Sequence, residues 1–160
     1  MPTPLQTIRA TNPSAKHVIA LRVLAGAPLA FFGLMHLIGA MPMRPLIEAA
    51  GLPAPGLMAL LAPLAQLLAG VLLLAGAFTR VGALLAIGTM AGALITHLRI
   101  PNDAWPTPQE SGAIEPGPEP VFLMVVAIAI IFMSAYVLYR GSGAFGLDAK
   151  ASAPPEPAPA

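Results

Sequence analysis

The polar positions of this chain are sparse and fall at regular intervals. No Asp, Glu, Lys or Arg lies between Glu48 and Arg80, a run of 31 residues, and none between Arg80 and Arg99, a further 18. The 21 residues from Val23 to Met43 and the 20 from Pro120 to Tyr139 are free of them as well. A bilayer core needs about 20 mostly apolar residues per helix. Only helices and closed barrels satisfy every backbone group there. These runs are rich in Leu and Ala and lack the alternation of barrel strands, so they predict helices. The expected spans are residues 18–41, 55–77, 81–98 and 120–139. The second and third form a transmembrane hairpin with Arg80 at its turn. The fold class expected is all-α, a four-transmembrane-helix bundle in one domain over residues 18–148.

The stretches between spans carry their own signals. Residues 1–17 read as a polar N-terminal tail, and residues 149–160, dominated by Ala and Pro, as a disordered one. A signal peptide would have an apolar region of only about 7–15 residues, so the longer first run reads as a retained span. Pro28 is expected to kink it. Arg22, near its start, is expected to snorkel to the headgroups. Between Met41 and Ala54, Pro45 is suited to start a short helix and Gly51 to end it. Leu46, Ile47 and Ala50 would form the apolar face of that helix on the membrane. Arg99 to Glu119 holds five prolines with Asp103, Glu110, Glu115 and Glu119, and reads as a loop anchored by Trp105 at the interface. Gly88 and Gly92 form a GxxxG, expected to let another helix approach closely.

Lys and Arg set the expected orientation. Arg9, Lys16, Arg22, Arg80, Arg140 and Lys150 fall on one side, and Arg44 and Arg99 on the other. The excess places both termini and the Arg80 turn in the cytoplasm. Composition agrees with a membrane protein: 9% charged residues and 57% hydrophobic, where a soluble domain has about 25% charged. A net charge of +1 gives no basis for nucleic-acid binding. With no cysteine, thiol redox chemistry, Cys-ligated iron–sulfur clusters and Cys-anchored haem are excluded.

Few polar side chains lie within the runs, and such residues are costly in hydrocarbon. His36, Gln66 and His97 are the candidate site. Each lies in the outer half or at the outer end of its span, where together they could line an outward-opening cavity. Histidine can donate and accept protons near neutral pH, and Gln66 offers an amide, a set suited to a quinone headgroup. The competing reading is that these groups only bond to neighbouring helices, each bond contributing under about 1–2 kcal/mol. Haem ligation by His36 and His97 would place its ligands at different depths. No His and carboxylate spacing suits zinc, and no metal site is expected.

The pieces LRVLAGAPLAFFGLMHLIGA, AAGLPAPGLMALLAPLAQLLAG, QLLAGVLLLAGAFTRVGALLAIGTMAGALITHL and GSGAFGLD resemble DoxX-family membrane proteins over about Val18 to Asp148. GAFTR at Gly76 to Arg80, followed by another span, is the best marker. The resemblance implies a four-helix, multi-pass protein of the cell inner membrane. Relatives include a quinone-reducing thiosulfate oxidoreductase subunit and a component of a membrane oxidoreductase complex, and many have no known activity. The apolar runs make the lipid bilayer a partner, an oxidoreductase role would need a partner redox protein because the chain has no redox cofactor motif, and further copies of the chain are another candidate partner. Gln66 and His36 stand where the family often has Glu and Lys, so a mechanism needing that carboxylate or ammonium does not carry over. Two functions follow as expectations: membrane subunit of a quinone-linked oxidoreductase system, or a non-enzymatic membrane scaffold that docks another protein through its loops.

Overall fold

The computed structural model describes residues 15–101, 105–106 and 120–151. Four long helices dominate it: α1 (Val18–Leu37), α3 (Pro55–Ala75), α4 (Thr79–Arg99) and α5 (Pro120–Arg140). Two short ones, α2 (Arg44–Ala49) and α6 (Leu147–Ala151), lie at opposite ends. The long helices have 20 or 21 residues, which at 1.5 Å per residue is about 30 Å, the thickness of a hydrocarbon core. Their mean hydropathy suits membrane spans. The expected all-helical bundle is therefore present. The polar N-terminal tail to residue 14, the tail from residue 152 and most of the acidic Pro-rich loop lie outside the described residues. α6 takes in residues 149–151 of the stretch read as a tail.

The helices form a ring in which α1 packs on α3, α3 on α4, α4 on α5 and α5 on α1. Ala25, Ala69, Ala83, Ala86 and Ala127 occupy the interior together with Leu29, Leu73, Met90, Ile130 and Val137. Larger apolar side chains face outward on every span, among them Leu24, Phe31, Leu84 and Phe132. In water such a surface would be an aggregation hazard. In a bilayer it is the lipid face, and small residues inside let backbones approach. α1 and α3 run antiparallel and meet at glycines. A Cβ built on Gly33 would fall 2.6 Å from Leu67 N, and one on Gly70 2.4 Å from Ala30 N.

Two expectations need correction. The Gly88–Gly92 pair is not a helix contact, since a Cβ at either position would meet nothing within 4 Å. The buried stripe of α4 is Thr79, Gly82, Ala83, Ala86 and Met90, and at 100° per residue Gly88 lies roughly opposite it. Close packing is instead at Gly26, Gly33, Gly70 and Gly82. Arg22 does not snorkel but is 2% exposed and bonded inside the bundle. α1 runs unbroken through Pro28.

α2 forms as expected, with Pro in its first turn and a left-handed Gly51 just beyond its end. Its apolar side does not lie on the membrane as expected: Ile47 and Ala50 are buried and the helix rests on α3. Its exposed Arg44–Glu48 pair, at 2.7 Å, contributes at most about 0.5 kcal/mol.

Candidate functional site

Gln66 lies eleven residues from the start of α3 and nine from its end, about 16 Å and 14 Å along the axis, and so near the middle of the span. It is 7% exposed. It falls on the inward stripe of Pro63, Ala69, Gly70 and Leu73. No described residue hydrogen-bonds its side chain. Its amide N and O are not among the fully enclosed unpaired atoms, so the amide is open to a partner from outside the described residues, and a polar group within hydrocarbon is costly without one.

His36 is half-buried near the end of α1. Gly33 packs on Leu67, so His36, three residues on, is within about one helical turn of Gln66 in depth. Its Nδ1 bonds to the carbonyl of Met41 just past the helix. A carbonyl only accepts, so Nδ1 carries the hydrogen, and Nε2 of the neutral ring keeps its lone pair. His97 follows the same pattern: Nδ1–H donates to Ala93 O at 2.7 Å. The His97 ring lies against Trp105 with centroids 4.9 Å apart. Its Nε2 is buried with no partner among the described residues. Gly82 packs beside Ala69, Leu72 and Leu73, which puts His97 about 15 Å farther along the bundle axis than Gln66. By depth, then, His36 and Gln66 share a level and His97 stands apart at the end of α4.

At the opposite end, where α3 turns into α4, lies a buried polar cluster that sequence reasoning missed. The turn closes α3 with Gly76 in the left-handed region, φ 63°. Ala77 N–H donates to Leu72 O at 3.2 Å, the longer bond of a glycine-ended helix stop. A side chain at Gly76 would also strike the Arg22 guanidinium. Arg22 donates to Leu73 O at 2.8 Å, Leu74 O at 3.1 Å and Ser142 O at 2.6 Å. Two of these acceptors belong to the last turn of α3, where a helix dipole favours a cation.

Asp148 serves the next helix. One carboxylate oxygen accepts from Phe78 N–H at 2.9 Å. The other accepts from Thr79 N–H and the Thr79 hydroxyl, both at 2.9 Å. These are donors of the first turn of α4, where the dipole favours an anion. The bonds also hold Phe78 at φ 46°, a region costly for a residue with a Cβ. Asp148 N–H in turn donates to Gly76 O at 2.9 Å. The GAFTR and GSGAFGLD motifs and Arg22 are thus one structure: residues from distant parts of the chain close the two faces of the hairpin turn with opposite charges. The cluster's groups are bonded to backbone and serve the fold.

Comparison with known proteins bears on the same residues. The family model DoxX matches residues 17–99, just over half of the chain. That range holds α1 to α4 with Arg22, His36, Gln66, the GAFTR turn and His97, and leaves α5 and α6 outside. No curated protein and no solved structure matches the chain. A match of this extent, on a bundle with four spans, identifies the chain as a member of the DoxX family.

Proposed function

We propose that this protein is the membrane subunit of a quinone-linked oxidoreductase system in the cell inner membrane, with Gln66 and His36 as its contacts to the quinone. The observation that carries the reading is Gln66, a largely buried residue near the middle of its span whose amide bonds no described residue and is not fully enclosed. It fits a ligand that brings its own acceptors into hydrocarbon. When bound, a quinone supplies two-electron, two-proton redox chemistry, with electrons from a partner redox protein. Gln66 would donate its amide N–H to a carbonyl oxygen and orient the ring. His36 lies within about one turn of it in depth, with Nδ1 fixed by Met41 O. Its Nε2 is therefore the atom through which a proton would pass. Packing against Leu67 at Gly33 keeps the two helices close at that level. His97, about 15 Å away in depth by helix rise, would act at the bilayer surface rather than on the ring.

The test is quinone content and thermal stability after mild-detergent purification. The parent is expected to carry quinone. Gln66→Leu is expected to lose most of it while remaining folded, since the amide bonds no described residue and an apolar side chain suits the span. Quinone retained by Gln66→Leu, or absent from the parent, refutes the site. A protein that then still co-purifies with a partner would be the membrane scaffold.

The orientation we propose rests on the Lys and Arg excess of six against two, which favours the termini and the α3–α4 turn in the cytoplasm and the His36 end outside. A reporter fused after Ala160 should read cytoplasmic and one inserted near Thr107 external. The reverse pattern would put the site's entrance on the other side.

A further inference from the structure

The turn end of the bundle carries a second polar group, separate from the Arg22–Asp148 cluster. Tyr136, in the last turns of α5, bonds through its hydroxyl to His17 Nε2 at 2.6 Å, and the rings of the two residues touch. The same hydroxyl accepts from Arg140 Nε–H at 3.3 Å. The Arg140 guanidinium carbon lies 5.7 Å from the Tyr136 ring centre and 5.9 Å from that of Tyr139. Arg140 is therefore a cation held in place, by a hydrogen bond through Nε and two aromatic rings. No described carboxylate pairs with it. The described acids are Glu48, paired with Arg44 at the far end, and Asp148, bonded to the start of α4. At the turn end Lys16, Arg22, Arg80, Arg140 and Lys150 thus stand against Asp148 alone among the described residues.

Apolar groups are exposed at that end as well. Tyr139 is 77% exposed, Phe145 63% and Leu147 52%. Phe145 and Leu147 belong to a segment fixed to the bundle by Asp148 and by Ser142 O, and they lie beyond the end of the span. Aromatic and apolar side chains at that depth reach the headgroup boundary. A fixed cation with an aromatic shelf beside it, at the bilayer surface, matches a phosphate headgroup attached to acyl chains.

We propose that the last turn of α5 and the segment after it bind an anionic phospholipid, its phosphate on Arg140 and its glycerol and chains against the apolar surface of the same end. The proposal is independent of the quinone reading, which concerns the opposite half of the bundle. Nη1 and Nη2 are the atoms left to face the phosphate, because Nε is engaged by Tyr136. Lys16 and Lys150, both exposed, add to the attraction.

The experiment is native mass spectrometry of the full chain from micelles with equal phosphatidylglycerol and phosphatidylcholine. The parent should retain phosphatidylglycerol in preference. Arg140→Gln should cut that retention roughly fivefold, the expected contribution of one cation near an anionic surface. Arg140→Lys should keep part of it. Arg44→Gln, at the far end, should match the parent. Added inorganic phosphate should leave retention unchanged. The parent comparison stands whether or not a variant folds: equal retention of the two lipids overturns the proposal. So does an Arg44→Gln loss as large as that of Arg140→Gln, or displacement by inorganic phosphate, which would read as an anion site without a lipid.

Discussion

Asp148→Ala is expected to lower the stability of the folded bundle by about 3–5 kcal/mol, the cost of breaking one side of a buried charged arrangement. The substitution removes three acceptor contacts at once, those to Phe78 N–H, Thr79 N–H and the Thr79 hydroxyl. It also leaves Arg22, 2% exposed, without the opposite charge at the other face of the turn. Thr79→Val removes only the hydroxyl bond to Asp148 and should cost about 1 kcal/mol. The graded pair is measured by denaturant titration in detergent. Equal stability of Asp148→Ala and the parent would show that the turn is closed without the C-terminal segment.

Gly70→Ala and Gly92→Ala should shift stability in opposite directions. Alanine is favoured over glycine within a helix by about 1 kcal/mol, so where space is open the substitution stabilises. At Gly92 no atom lies within 4 Å of the new Cβ. At Gly70 the Cβ would lie 2.4 Å from Ala30 N and 2.7 Å from Gly26 O. Both are backbone atoms of α1, so neither can rotate away and the helices must part. Overpacking of this kind costs typically about 1–3 kcal/mol, and rigid neighbours favour the upper end. Melting temperatures of the two variants beside the parent decide the matter. The same sign at both positions would contradict the packing of α1 on α3.

The contrast between these glycines shows how far the sequence could be read. The charge-free runs located all four spans, because in hydrocarbon a charge is the costliest thing a helix can carry and its absence is plain. Pro45 and Gly51 marked α2 for equally local reasons. Which face of a helix turns inward is a property of its neighbours, however. GxxxG names a spacing, and in α4 that spacing falls on the outer face, while the contact glycines of α1, Gly26 and Gly33, are seven apart and α3 contributes Gly70 alone. Arg22 was hidden for a related reason. An arginine near a span end can reach the headgroups or turn inward, and the choice here depends on Ser142 and Asp148, some 120 residues away. GAFTR and GSGAFGLD were visible as motifs, but only their contact explains why Gly76, Thr79 and Asp148 are required together.

At the candidate site the sequence identified polar residues that hydrocarbon would otherwise exclude. It could not order them by depth across helices. Helix packing does so, pairing Gly33 with Leu67 and hence His36 with the level of Gln66, while His97 lies at the far end beside Trp105.

The most direct test of the quinone reading is labelling with a photoreactive quinone analogue, followed by peptide mapping of the modified chain. The account predicts adducts in α3 around Gln66 and in α1 around His36, reduced in Gln66→Leu. Adducts confined to outward side chains such as Phe122 and Val125 of α5, or unchanged in Gln66→Leu, would contradict it.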